Sequence, residues 1–486
     1  MYSHRKKSMQ IELPLFEFTH PFGNSLNADN RWVRLAKLIP WDEVEADYCR
    51  HFGVSGNDAL NARVALGALI IKERLKLTDE ETVEQIWENP YLQYFIGMKE
   101  YSREKPFDPS LMVHFRDRIG IETLLRVNEI ICASKKKPTE DKEKKKNDTG
   151  TAPPNAGKLI IDATCAPEDM RHPTDLGLLN DARQHSEGVI DSLWAASEKN
   201  GRKPLTYRLK ARRQFLKAIR CRKPSGRHLR KGIRQQLGFL KRNLRTIGRM
   251  SKNVSLSHLS SQDYRKLLVI SEIYRQQSEL FKMFGKDHRR IDDRIVSLSK
   301  PHVRPIVRGK ASADVEFGAK LSVSVIEGMT YLDRISWDAY NEGGDLQAQA
   351  EAFKRKTGAY PESIHADKAY RNRENLRWCR KNDIRLSGPA LGRPLVEDDQ
   401  RGALRKQQRL DERIRIEVEG RFGTAKRRYR LNKIMTKLRE TSETTIALIF
   451  FVMNLDKILR DLLLSLLELL CSRCCDREKQ VLFAAA

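Results

Sequence analysis

From residue 25 to about 130 the apolar positions recur with helical spacing. Val64, Ala68, Ile71 and Leu75 follow one another at intervals of 4, 3 and 4, which puts them on one face of a 3.6-residue helix. Thr78 and Glu81 form a capping-box pair that opens a second helix carrying Val83, Ile86 and Trp87, and Asn89-Pro90 ends it. Helices this close in sequence resemble a helix-turn-helix, which reads DNA in some proteins and fills ordinary helical cores in others. Residues 134–157 then lose almost all large apolar side chains. A segment that cannot bury surface does not order itself, so a flexible charged linker is predicted there.

Past the linker the period changes. Lys158–Thr164 is a short apolar run that predicts a buried strand, and residues 196–300 are predicted helical. Leu321, Val323 and Val325 alternate with Ser322 and Ser324, and Glu327-Gly328 turns that strand into Thr330–Trp337, a hairpin pattern. Asp345–Lys356 predicts a helix, Ser363–Asp367 a strand, Asn372–Lys381 a helix, Ile384–Ser387 a strand and Leu410–Tyr429 a last helix. With the helical insert removed, this is the element order of a ribonuclease-H-like α/β fold. The predicted organisation is an all-α domain (1–133), the linker (134–157), the first part of the α/β domain (158–195), a long helical insert (196–310), the rest of the α/β domain (311–440) and an apolar C-terminal helix with its tail (441–486). In that last helix the longest clean apolar run, Ile446–Met453, falls far short of the ~20 residues a membrane span needs, so packing or oligomerisation is expected of it and no membrane.

Charge sharpens the picture. The chain has 486 residues and carries 91 Lys and Arg against 64 Asp and Glu, a formal net charge of +27. Residues 201–310 alone hold 31 basic and 6 acidic residues, an excess of 25 that nearly equals the charge of the whole chain. A surface made basic for solubility mixes its signs. A concentrated excess points to a polyanion, because each neutralised phosphate releases condensed counterions. Arg208, Lys210, Arg212, Arg213 and Lys217 crowd one stretch and Arg230 and Arg234 follow, so these seven are candidate contacts to the backbone of double-stranded DNA. The other reading of the insert is a helical scaffold whose basic face meets solvent. No apolar run follows Met1-Tyr2-Ser3-His4-Arg5, and the cysteines are mostly scattered, which fits the cytosol. Cys471, Cys474 and Cys475 lack a second ligand pair, which disfavours zinc.

Three carboxylates stand out by position. Asp162 closes an apolar strand, where charge is costly unless paired or bound to a metal; a strand-end Asp capping its turn is the ordinary alternative. In Ser363–Asp367, alternation sets Ile364 and Ala366 on one face and His365 and Asp367 on the other, with His365 read as a structural residue. On the last helix, Arg415, Glu419, Phe422 and Lys426 are spaced 4, 3 and 4 and share a face, which also suits a solvated ion pair. Gly420 and Gly423 each cost about 1 kcal/mol relative to Ala inside a helix, which suggests close approach by DNA or a sheet. Mg²⁺ takes oxygen ligands and keeps several waters, so two or three acids plus phosphate oxygens suffice. Two Mg²⁺ (or Mn²⁺) ions sharing such acids support in-line displacement at phosphorus.

The stretch Leu159-Ile160-Ile161-Asp162-Ala163-Thr164-Cys165-Ala166-Pro167-Glu168-Asp169-Met170-Arg171-His172-Pro173-Thr174-Asp175-Leu176 resembles the DDE transposases of the insertion-sequence-five family and its relatives, as does His365-Ala366-Asp367-Lys368-Ala369-Tyr370-Arg371-Asn372. Arg415, Glu419 and Lys426 fall at the spacings of that family's Tyr-x2-Arg-x3-Glu-x6-Lys signature, with Glu412 at the Tyr position. Asp108-Pro109-Ser110 leading into His114-Phe115-Arg116-Asp117-Arg118 resembles the helical domain ahead of such catalytic domains. The resemblance covers most of residues 25–435. It implies that Asp162, Asp367 and Glu419 are the catalytic, metal-binding triad, and that Arg415 and Lys426 contact phosphates at the transposon end. It further implies an enzyme that binds terminal inverted repeats, cleaves DNA and transfers strands. A homodimer on paired ends, in the cytoplasm of a bacterium and associated with its nucleoid, is expected on the same ground.

Two other functions compete. A catalytically inactive, domesticated DNA-binding protein or repressor would keep the basic surface and lose an acid, yet all three acids are present. Another ribonuclease-H-like nuclease, such as a junction resolvase, would share the acids without needing the N-terminal domain or the Arg-x3-Glu-x6-Lys helix.

Overall fold

The computed structural model describes residues 25–53, 59–134, 154–197, 202–285, 291–310, 313–389 and 398–484; most of the predicted linker lies outside them. In chain order the elements are α1 (Arg31–Leu38), α2 (Trp41–Tyr48), α3 (Ala62–Leu75), α4 (Asp79–Glu88), α5 (Pro90–Phe95), α6 (Leu111–Ser134), β1 (Lys158–Pro167), α7 (Asp175–Ala196), α8 (Arg208–Ile219), α9 (Gly226–Met250) and α10 (Ser261–Lys282). There follow β2 (Arg304–Lys310), β3 (Ala313–Ile326), β4 (Met329–Ser336), α11 (Leu346–Thr357), β5 (Ser363–His365), α12 (Arg373–Lys381), β6 (Arg385–Leu386), α13 (Asp398–Arg428) and α14 (Arg439–Ala484). These divide into two compact units. The first is Met1–Pro167 with Lys320–Ser336 and Tyr340–Ala486; the second is Glu168–Ala319 with Trp337–Ala339.

In the first unit the strands lie side by side in the order β4-β3-β1-β5-β6. β1 and β5 run parallel with Lys158 opposite Ser363 and Ile160 opposite His365, and β6 continues the parallel half beside β5. β3 and β4 form the antiparallel hairpin, closed by Glu327 (φ 51°) and Gly328 (φ 76°), the left-handed pair that a two-residue turn of this hand requires. This order and sense are compatible with a ribonuclease-H-like fold. Ser322 and Ser324, which alternate with the apolar residues of β3, are buried as well, and Ser324 donates to Asp333 at 3.0 Å.

Alternation along β1 and β5 sorts their side chains onto two faces. Leu159, Ile161, Ile364 and Ala366 form one core with Leu346, Ala350 and Phe353 of α11 and Cys379 of α12. The opposite face of β1 and β5 is covered by α13. That helix is pinned by Asp411, whose carboxylate takes both Nη atoms of Arg385 at 2.8 and 2.9 Å.

α14 is a core element of the same unit, buried from Ile446 to Leu459 against α6, α3 and β4. The polar residues that interrupt its apolar run are joints. Asn454 bridges Asn128 (2.9 Å) and the backbone of Thr330, and Asp456 takes Arg74 Nε (2.7 Å) and the Tyr429 hydroxyl (2.6 Å). Among the described residues no helix is long and apolar enough to cross a membrane. The predicted capping box at Thr78 and Glu81 forms, and α4 turns Glu80, Glu81, Glu84 and Glu88 to solvent.

Three local expectations are corrected. Asp162 lies inside β1, which continues to Pro167 because Ala163–Ala166 remain buried. Residues 154–157, read as the end of the linker, are tied down: Asn155 donates to the carbonyls of Asn382 and Asp383 at 2.8 Å, and Glu362 donates to Gly157. A further strand, β2, pairs antiparallel with the first part of β3.

The second unit is a helical bundle. Leu176, Leu179 and Ala182 of α7 pack with Ile233, Leu237 and Leu240 of α9 and with Ile270 and Ile273 of α10. Inside it, Arg183 donates to Glu187 (2.5 Å) and Asn180 (2.8 Å), so its buried guanidinium is paired.

Candidate active site

The parallel register brings two of the three acids together. Ile160 is opposite His365, so Asp162 and Asp367 each stand two residues further along neighbouring strand paths, on the face that α13 covers. Paired strands are about 4.8 Å apart, which leaves no room for two solvated carboxylates to ignore each other. The Asp162 carboxyl is pushed up to about 6, chiefly by burial and then by the charges of Asp367 and Glu342. The Ala163 N–H, donating to Oδ1 at 2.8 Å, and the Arg415 guanidinium work against that rise.

Asp367 sits two residues past the last residue of β5 and is exposed. Its Oδ1 accepts from the N–H of Lys368 at 2.6 Å and caps the turn Lys368–Tyr370. The neighbouring motif residues build the platform beneath it. His365 is fully buried and held down to about 4 by burial, so it is neutral; its Nε2 lies 3.1 Å from Ser363 Oγ. Arg371 donates to the carbonyls of Leu386 and Ser387 at 2.8 Å, and Asn372 caps α12. Reading His365 as structural fits this geometry.

Glu419 comes from α13. Val418, Phe422, Ala425 and Tyr429 form the buried stripe of that helix, and Glu419 lies at its border with 51% of its side chain exposed. Its carboxylate takes Arg415 Nη2 at 3.1 Å, and Arg415 is the cation that Asp162 feels. Thus Arg415 pairs with the helix acid while its charge reaches Asp162. Lys426, half-buried, is two turns further along α13. The sheet is not what Gly420 accommodates, for a Cβ there would meet nothing within 4 Å, and one at Gly423 would meet only the tip of Arg427.

Carboxylate oxygens are the donors that a hard divalent cation takes, and Asp162 with Asp367 fit it in chemistry and in register. Among the described residues, however, no three Asp, Glu, His or Cys side chains close on one metal-sized position. Like charges repel, and Glu419 is satisfied by Arg415 instead.

Sequence reading missed Glu342, an acid whose charge reaches Asp162. It lies in Asn341-Glu342-Gly343-Gly344-Asp345, a turn with no strand or helix period, and the Gly-Gly pair was the one available signal.

Of the seven basic candidates in the second unit, all are exposed. Arg208 is committed to an ion pair with Asp191, and Arg230 lies over the Phe281 ring at 5.5 Å.

Residues 364–456 match the family described as a transposase DDE domain, a span that contains Asp367 and Glu419. Residues 20–118 match the family described as a transposase domain, DUF772. A Rhizobium meliloti protein described as ORF8 in the nfe locus is 34% identical over 160 residues, which are 33% of this chain and 72% of that protein. No solved structure matches the chain.

Proposed function

Since the chain belongs to the DDE transposases of bacterial insertion sequences, we propose that it binds the terminal inverted repeats of its own element and performs Mg²⁺-dependent strand cleavage and strand transfer with Asp162, Asp367 and Glu419. The observation that carries this reading is the parallel register of β1 and β5, which puts Asp162 and Asp367 on neighbouring strand paths with the Asp367 charge acting on Asp162. When bound, divalent cations (two per site, Mg²⁺ or Mn²⁺) supply Lewis-acid activation and stabilise charge on the attacking and leaving oxygens.

The residues themselves do the rest. Asp162 provides an oxygen from inside β1, Asp367 one from the turn that follows β5, and Glu419 a third from the helix. Arg415, half-buried beside Asp162, meets a non-bridging phosphate oxygen once Glu419 turns away from it. In cleavage, a water oxygen bonds to phosphorus as the bond to the 3′-oxygen breaks. In transfer, that 3′-hydroxyl attacks a target phosphorus and a target 3′-oxygen leaves. Neutral His365 is no proton donor at physiological pH.

The exposed Lys210, Arg212, Arg213, Lys217 and Arg234 track duplex phosphates, which positions DNA without reading its sequence. The outward face of α4 carries four Glu, so the pair α3–α4 does not enter a groove through that face. Two protomers on paired ends complete the proposed assembly.

The test is a duplex carrying the inverted repeats that flank the gene. The chain nicks it with Mg²⁺, and Asp162→Ala binds it and does not nick. Binding with no nicking by the wild type would favour the inactive DNA-binding alternative.

A further inference from the structure

Beside the Asp162–Asp367 pair lies a clamped turn that the three-acid signature does not include. Glu342–Asp345 form a single 3-10 turn, opened by the Asn341 side chain accepting from the N–H of Gly343 at 3.0 Å. Gly343 approaches the carbonyl of Ala369 so closely that a Cβ would stand 2.6 Å from its oxygen. Asn375 Nδ2 then donates to both Gly343 O (2.7 Å) and Tyr370 O (2.8 Å). The turn bearing Glu342 is therefore locked onto the turn that Asp367 caps.

Two side chains at this junction bear on what it can bind, one an ion-paired acid and the other an unpaired buried hydroxyl. Glu342 Oε2 takes Lys320 Nζ at 2.8 Å, and the same ammonium donates to the carbonyl of Tyr340 at 2.8 Å. Tyr370 is 0% exposed, and its hydroxyl has no hydrogen-bond partner among the described residues. Burial first, and then the charges of Glu342 and Asp162, raise its hydroxyl above the ordinary tyrosine range. A buried phenol left unpaired costs the desolvation of its O–H, so an unpaired hydroxyl within reach of the charges of Glu342 and Asp162 suits a ligand or its water.

We infer that Glu342 is a fourth carboxylate of the divalent-cation site, that the Lys320 ammonium competes with the ion for it, and that the Tyr370 hydroxyl positions a water of the ion's shell. The inference rests on the metal-binding role proposed for Asp162 and Asp367. Mg²⁺ and Mn²⁺ retain several waters, and the polar groups that fix those waters tune affinity as ligands do. A fourth acid adds attraction for a dication, whereas the Lys320 ammonium opposes it.

That opposition gives the test its sign. Free Mn²⁺ is followed by electron paramagnetic resonance as it is titrated into the full chain without DNA, and each variant's melting temperature is measured without metal. Glu342→Gln is expected to weaken Mn²⁺ binding about tenfold, Tyr370→Phe to weaken it less, and Lys320→Gln to strengthen it. A purely structural ion pair predicts that Glu342→Gln and Lys320→Gln lower the melting temperature alike and leave Mn²⁺ affinity unchanged, which overturns the inference. Asp162→Asn is the reference. If it abolishes binding while Glu342→Gln changes nothing, only this inference fails; if Asp162→Asn and Glu342→Gln both leave binding unchanged, the proposed metal site fails with it. Glu342→Asp, which keeps the charge and withdraws it by one methylene, is expected to bind better than Glu342→Gln.

Discussion

The acid site and the basic helical unit handle charge in opposite ways. The Asp162 carboxyl is half-buried inside a strand, and burial with the charges of Asp367 and Glu342 makes its ionisation costly. On α8 and α9 many cations are spread over exposed helix surface, and apart from a few such as Arg208 and Arg230 that pair or stack, they face solvent. The first arrangement stores unfavourable electrostatics that a proton or a bound cation relieves, so its effect depends on the particular carboxylates that share the place. The second is additive, so its contribution scales with the number of charges and not with any one of them.

The largest expected effect is at the site. Asp367→Ala removes a proposed oxygen ligand from the turn after β5 and is expected to lower Mg²⁺-dependent cleavage by roughly a thousandfold or more, while binding to the same duplex, measured by gel shift, is retained. Loss of binding in parallel would make Asp367 a fold residue and erase the contrast.

Next comes the basic surface. Reversing Lys210, Arg212, Arg213 and Lys217 together is expected to flatten the plot of log affinity against log salt by up to about 3. Any single reversal should change it by about 1 or less. Arg208→Ala, by contrast, removes the ion pair with Asp191 and is expected to lower the melting temperature with little effect on the salt slope. A single reversal as damaging as four would break the additive picture.

A pH experiment isolates the stored repulsion. Folding raises the Asp162 carboxyl from an ordinary 3.8 to about 6, so the folded chain holds this proton more tightly than the unfolded one. Its contribution to stability is therefore most favourable below about pH 4, declines as pH rises between 4 and 6, and is a full penalty above 6. Asp162→Asn in the absence of divalent ions is expected to be more stable than wild type at pH 8 by up to about 2 kcal/mol, with solvent screening reducing that figure. By pH 4 the gain disappears. Calorimetric melts at the two pH values decide it, and an equal gain at both would mean that ionisation is not its source.

The smallest effect separates packing from approach by DNA. Gly420→Ala enters open space and should stabilise α13 by about 1 kcal/mol. If Gly420 is kept for DNA, the same substitution weakens binding of the end duplex; unchanged binding would leave the glycine without that role.

Much of this architecture was legible because its strands obey simple periods. The β3–β4 hairpin followed from alternation and Glu327-Gly328, and the two aspartates followed from short apolar runs that meet in parallel register. β2 was missed because Arg304-Pro305-Ile306-Val307-Arg308-Gly309-Lys310 mixes Pro, Gly and cations, and a strand that relies on a partner's ladder need not alternate. Helical structure begins at α7, before the basic stretch, since Asp175–Ala196 carries the bundle's apolar face with little of its charge. Glu342 was invisible for a different reason: its place depends on Gly343 touching Ala369 and on Asn375 spanning two turns, contacts between segments that no local pattern encodes. The tie between Glu419 and Arg415 was foreseeable from i,i+4 spacing, yet only packing reveals that the same Arg faces Asp162.

The central claim is that the strand aspartates and the helix glutamate serve the same ions. An anomalous-difference map of the full chain crystallised with Mn²⁺ and an end duplex tests it directly. Density for Mn²⁺ in contact with Asp162 and Asp367, with Glu419 turned from Arg415 to join them, is the predicted result. Mn²⁺ bound elsewhere, with Glu419 still paired to Arg415 while DNA occupies the site, would contradict it.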